Sequence, residues 1–246
     1  MLVLLVAALL LVPSTVSAQP PATPEPPPPP PPLREATAEF AFVGTSGNSS
    51  TQSIGVGGEL IYRPAPWTLD TKAAYVRNDS QGTLKAESFD LSVKGGRPIG
   101  PQVSVFGRYG FLHDLFAGID QRHVVDAGIS YILLQEEPHA LTLDATVGYA
   151  HEGRTIGPLL SNATAGVGAS YRLQLNSYVD ATDEARVTQS LSESIDWRAA
   201  NIAAVTSKLN SVLSLKVSNT FRYVHTPAFG FQPADTITAI ALVAKF

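Results

Sequence analysis

From residue 36 to the terminal Phe246, apolar and polar residues alternate with period two through about twelve segments, the pattern of strands with two unlike faces. Ile54, Val56, Gly58, Leu60 and Tyr62 share one face, against Ser53, Gly55, Gly57, Glu59 and Arg63, with Ile61 the exception. Leu141, Leu143, Ala145, Val147 and Tyr149 alternate with Thr142, Asp144, Thr146 and Gly148. The last segment carries Ile240, Leu242, Ala244 and Phe246 on one side, so the chain closes on an aromatic residue. The pattern predicts strands at 36–46, 50–63, 66–77, 83–97, 101–113, 119–134, 138–151, 159–173, 177–189, 194–207, 211–225 and 235–246. Globular strands cluster near about 5 or 6 residues. These are about twice that, and a tilted strand crosses a bilayer in about 9 to 11. An even number of long, meandering strands implies an all-β fold, a closed antiparallel transmembrane barrel.

Proline agrees with these boundaries. Beyond the N-terminal region it occurs at Pro64, Pro66, Pro98, Pro101, Pro138, Pro158, Pro227 and Pro233, each at or beside an expected turn or strand start. With the N-terminus periplasmic, the periplasmic turns centre on Ala65, Ile99, Glu136, Leu175 and Leu209. The outer loops then centre on Gly47, Gln81, Gly118, Thr155, Leu191 and Gly230, and include the longest connection, after His225. Aromatics fall into two bands. Tyr62, Trp67, Tyr131 and Tyr171 lie near one rim, and Tyr75, Phe111, Tyr149, Trp197 and Tyr223 near the other, as interfacial belts require. Asp183 breaks the pattern by falling on the nominal lipid face, which predicts a register slip or a bulge in 177–189.

Residues 2–12 are continuously apolar but too short to span a membrane as a helix, and Val16-Ser17-Ala18 then offers small residues for cleavage. Residues 1–18 are thus expected to be a signal peptide. Residues 19–35 form a proline-rich periplasmic spacer, stiff in the polyproline II conformation and a docking segment for some unknown partner if it has one. Residues 36–246 are the barrel. The absence of cysteine excludes a disulfide framework and thiolate metal sites. A net charge of −4 gives no electrostatic case for nucleic acid as a partner. The expected partners are the lipid bilayer with its lipopolysaccharide and the machinery that assembles outer-membrane proteins, for which Phe246 is the signal. Nothing in the sequence implies a cofactor.

Two stretches carry a resemblance: Gly47-Asn48-Ser49-Ser50-Thr51-Gln52-Ser53, and a mid-chain segment with Asp114, Phe116, Gly118, Ile119, Asp120 and Arg122. With the amphipathic strands and the terminal aromatic, the chain resembles the salt-induced outer-membrane proteins, a family of unknown function (YdiY-like), over residues 36–246. The resemblance implies location in the cell outer membrane of a Gram-negative bacterium and a link to salt or osmotic stress. It implies no activity.

The expected lumen face carries charge of both signs. Its acids are Glu39, Glu59, Asp70, Asp90, Asp126, Asp144, Asp180, Glu184 and Asp196. Its bases are Arg63, Lys72, Lys94, Arg108, Arg122, Arg172, Arg186, Arg198, Lys216, Arg222 and Lys245. A strongly selective pore favours one sign at its constriction. Here the signs nearly balance, which fits either a polar network bracing a filled barrel or a narrow, weakly selective solute pathway. His113, His123, His151 and His225 fall near the outer rim with Asp114, Asp120, Glu152 and Ser161. A Ser-His-acid set drawn from His113, His151, Ser161 and Asp120 would suit an outer-membrane lipid hydrolase, the alternative to the pathway or envelope-integrity reading. The same groups could hold a divalent cation, although rim residues of these types are ordinarily just solvated. In the 114–122 loop, Gly118 is expected to supply a turn and Arg122 to pair with a carboxylate. Functionally, Phe116 and Ile119 would touch lipid or a ligand, while Asp114, Asp120 and Arg122 form a charged clasp.

Overall fold

A sheet of long amphipathic strands leaves two edges of unpaired amides unless its first and last strands meet. In this protein they meet. The structure, a computed structural model, describes residues 31–46, 51–80, 83–193 and 195–246. The expected signal segment, residues 19–30 of the proline spacer and the loops at Gly47 and Gln81 lie outside the described residues. The strands are Arg34–Ser46 (β1), Thr51–Tyr62 (β2), Thr68–Ser80 (β3), Thr83–Pro98 (β4), Val103–Asp114 (β5), Ile119–Glu136 (β6), His139–Arg154 (β7), Leu160–Gln174 (β8), Val179–Ser190 (β9), Trp197–Lys208 (β10), Leu213–Val224 (β11) and Ala234–Lys245 (β12). Each pairs antiparallel with its sequence neighbours, and β1 pairs with β12 to close the barrel. Past the end of β12, the Phe246 N–H donates to the Ala36 carbonyl at 2.8 Å, while Ala36 N–H donates back at 3.2 Å. β1 begins at Arg34 rather than 36 because Glu35 is drawn into the wall, where it pairs with Arg63 and Lys245.

The two faces are inverted relative to a soluble protein. Val125, Val147 and Val167 are 60%, 64% and 61% exposed, on the outside, while charged side chains point inward. Such a surface is stable only against hydrocarbon.

Local chemistry sets the turns. Leu175-Asn176-Ser177-Tyr178-Val179 and Leu209-Asn210-Ser211-Val212-Leu213 are one repeated turn, at the same end of the barrel. In each, the Asn carboxamide oxygen accepts two backbone N–H groups, those of Tyr178 and Val179 or of Val212 and Leu213, at 2.8 to 3.0 Å. This is asparagine's usual part in a turn. Where alternation fails the sheet bulges. Leu133 and Leu134 are adjacent yet both exposed, and the β6–β7 register shifts there between Ile132 and Leu134.

Asp183 does not shift the register as the sequence suggested. β9 pairs with β8 and β10 without a break. Instead the Asp183 carboxylate stays on the outer face and accepts a 2.9 Å hydrogen bond from the Asn201 carboxamide. A polar partner on the same face removes the need for a bulge.

Candidate functional site: the barrel lumen

Strand parity aims one residue in two at the lumen, and glycine or alanine at several of these positions leaves room for long charged neighbours. The result is a set of ion pairs between strands that are not adjacent in the sheet, which only the lumen can bring together. Lys72 (β3) lies 3.7 Å from Glu184 (β9) and 3.3 Å from its neighbour Glu59. Lys94 (β4) reaches Asp144 (β7) at 3.3 Å, and its ammonium also lies 4.0 Å from the centroid of the Phe106 ring. Asp126 (β6) is held by Arg108 beside it and approached by Arg186 (β9) at 4.0 Å. Lys216 pairs with Glu39 at 2.8 Å. Towards the opposite mouth, the end that carries both chain termini of the barrel, Arg172 pairs with Asp180 and Arg63 with Glu35.

The end of the lumen beneath the 115–118 and 225–233 loops holds the densest cluster. Glu152 is 2% exposed and takes Arg122 at 2.6 Å, Arg154 at 2.8 Å and Arg198 at 2.9 Å. Arg154 also donates to the carbonyls of Thr226 and Pro227, which ties the long 225–233 loop to β7. The sequence put Glu152 at the rim with the histidines. Its parity with Asp144, Thr146 and Ala150 points it inward, a signal present in the sequence but unused.

Two spaces among the lumen side chains are large enough to matter for passage. One, of about 560 Å³, runs among the mid-lumen ion pairs. The other, of about 190 Å³, lies against the inner wall of β12, β1, β2 and β3. Asp90, Thr220 and Arg222 border both. There Arg222 (β11) crosses the lumen to Asp114 (β5) at 3.0 Å and lies 3.9 Å from Asp90 (β4). The guanidinium is therefore a bar at the junction of the two spaces.

In the 114–122 segment Gly118 supplies the turn and Arg122 finds a carboxylate, as expected, but the alternative, one charged clasp of Asp114, Asp120 and Arg122, does not form. Asp114 goes to Arg222, and its other oxygen accepts the Phe116 and Ala117 N–H groups. Arg122 goes to Glu152. The Asp120 carboxylate joins neither, because the strand bulges between Ile119 and Gln121 and leaves Asp120 exposed. Ile119 is buried, and Phe116 lines the smaller cavity. Gly118 has φ +71°, and a Cβ there would run into the Phe231 ring. Gly118→Ala should therefore loosen the contact between this loop and 225–233 by about 1–3 kcal/mol. Limited proteolysis of the folded barrel should show faster cleavage within 225–233.

The rim histidines face outward. His151 Nδ1 lies 2.8 Å from Ser161 Oγ. The Asp120 carboxylate bonds neither histidine: it is the Asp120 backbone carbonyl that accepts from His113 Nδ1, and His113 Nε2 is 3.6 Å from Glu87. His123 bonds Tyr109 and packs on Phe111, and His225 stacks on Trp197. The histidines are thus members of the outer aromatic belt. Among the described residues, no group of three or more His, Asp or Glu side chains converges as a metal site would need.

An apolar outer wall around an ion-paired lumen, closed from twelve antiparallel strands, defines an outer-membrane-type β-barrel. The chain belongs to the family of proteins of unknown function DUF481, whose pattern matches residues 38–246. No curated protein matches the sequence. Among solved structures the chain is similar to the NanC porin, with 8% identity and a TM-score of 0.57 over 85% of this chain and 100% of that one. It is also similar to the KdgM porin, with 8% identity and a TM-score of 0.47 over 85% and 99%. OmpT, an outer membrane protein of Vibrio cholerae, aligns with 8% identity and a TM-score of 0.43 over 87% and 96%. Of these three likenesses only the first bears on the fold.

Proposed function

We propose that this protein is exported to the outer membrane through a cleaved signal peptide and forms a narrow, weakly selective pathway for small solutes. The carrying observation is the pair of lumen cavities meeting at Arg222, where side chains rather than a strand or helix bar the way. Long ion-pair networks of both signs favour small solutes over large ones and give little net field for selecting ions. The salt-stress role implied by the family resemblance fits a conductance of this kind. The partners proposed are the bilayer and its lipopolysaccharide along the apolar wall, and the assembly machinery at the exposed Phe246 side chain.

Refolded, signal-free protein in a planar bilayer should give small, discrete current steps with near-equal permeability to K⁺ and Cl⁻. A folded barrel that stays silent would overturn the pathway and leave a role in envelope integrity.

A further inference from the structure

A channel-type barrel interior is ordinarily polar. On one side of this lumen it is not. Ala239 stands opposite Val43 across β12 and β1, and Ala41, Gly55 and Val76 form the next row across β1, β2 and β3. With Ile237 these residues give the smaller cavity an apolar wall, and Phe116 reaches in from the 115–118 loop. Glycine keeps the space open: a Cβ at Gly55 would stand 3.1 Å from Val76 Cγ2 and 3.4 Å from Val43 Cγ2. The volume of about 190 Å³ exceeds the ~150 Å³ of an engineered apolar cavity that binds benzene.

The charged groups on the lining are already engaged within the protein. Arg222 bonds Asp114 and lies 3.9 Å from Asp90. Asp114 also accepts the Phe116 and Ala117 N–H groups. Lys216 matches Glu39, and Asp235 is not free either. An ion of either sign entering this space would lose hydration without gaining an unmatched countercharge. Water is poorly held against the apolar wall, which gives it few hydrogen-bond partners, and an apolar group that displaces such water gains affinity. Ser88 and Thr220 place two hydroxyls on the same lining, enough to orient one polar group on a ligand.

We propose that this cavity is a binding site for small neutral molecules built on one apolar ring and carrying at most one hydroxyl. The ring would pack among Val43, Val76, Ile237, Ala239 and Phe116, with its hydroxyl towards Ser88 or Thr220. The assignment rests on the pathway reading for its route of entry, the lumen.

The test is calorimetric titration of the refolded full barrel in detergent with phenol, benzylamine and benzoate near neutral pH, beside bilayer conductance of the same preparation. Phenol is neutral there, whereas the other two probes are a cation and an anion on the same ring. Heat from uptake into micelles is common to parent and variants, so their difference reports the pocket. Phenol is expected to bind at least about tenfold more tightly than either ion. Ala239→Leu, which fills the pocket, should abolish phenol binding. Phe116→Ala, which removes one wall from a loop outside the sheet, should weaken it several-fold. The proposal is overturned if phenol does not bind, if either ion binds as tightly, or if either variant, once folded, binds phenol as the parent does. If Ala239→Leu does not fold, Phe116→Ala decides alone. A barrel that conducts but binds no phenol overturns this site and leaves the pathway standing. A silent barrel that binds phenol, with the binding weakened in Phe116→Ala, overturns the pathway and supports the pocket.

Discussion

Replacing Arg222 with alanine is expected to raise single-channel conductance several-fold and to turn a weakly selective pathway towards cations. The guanidinium spans from β11 to Asp114 on β5 and lies beside Asp90 on β4, at the place where the two lumen cavities meet. Removing it takes away the bulk that separates them and leaves Asp90 and Asp114 along the passage without this cation. The change in the K⁺ to Cl⁻ permeability ratio should be about tenfold, equivalent to about 1.4 kcal/mol in the relative barrier. Asp114 keeps the Phe116 and Ala117 N–H groups, so the outer turn should survive. Arg222→Lys restores the charge without the planar fork that reaches two carboxylates, and should give an intermediate conductance. Equal conductance and selectivity in the parent and Arg222→Ala would show that the bar lies elsewhere, and Lys94–Asp144 would be the next candidate.

Period-two alternation made the wall readable. It placed Leu143 and Val147 outside, and Lys94, Arg108 and Asp144 inside, because side-chain direction in a strand depends only on parity. The turns centred on Leu175 and Leu209 fell where the pattern put them, although the Asn176 and Asn210 side chains that close them were not singled out. The transverse partners were not legible. Whether Lys94 meets Asp144, or Lys72 meets Glu184, depends on tilt and stagger around the closed barrel, and no single strand records these. In the 114–122 segment Gly118 supplies the turn and Arg122 pairs with a carboxylate, as expected, but the single charged clasp does not form. Its charged residues stand close in sequence and look like one clasp. Two of them turn inward, however, and find partners on β11 and β7, while a bulge leaves Asp120 outside. Asp183 shows the opposite limit. Its parity was right, and the expected slip was unnecessary because Asn201 supplies a partner on the lipid side.

Glu152→Gln is expected to be the most damaging single substitution for the barrel's stability. One buried carboxylate is bonded by Arg122, Arg154 and Arg198, and it is what lets three guanidinium groups crowd into one end of the lumen. Glutamine nearly preserves shape and can still accept a hydrogen bond, so little of the loss comes from a cavity. The loss comes from charge: three cations would remain close together with their shared anion gone. Removing one partner of a buried ion pair costs about 3–5 kcal/mol, and here three cations share the partner removed. Arg154 would also hold the carbonyls of Thr226 and Pro227 less firmly, freeing the 225–233 loop. The measurement is the unfolding midpoint in detergent, read by loss of the heat-modifiable folded band or of the β circular-dichroism signal. Arg198→Gln provides the control: it removes one cation from the crowd, leaves Glu152 with two, and should lower the midpoint far less. If Glu152→Gln and Arg198→Gln shifted the midpoint equally, the cluster would be a set of separable pairs and not one anion holding three cations. A double variant should separate these accounts further. With Glu152 already replaced, Arg198→Gln should restore stability by relieving repulsion, whereas independent pairs would show no such rescue.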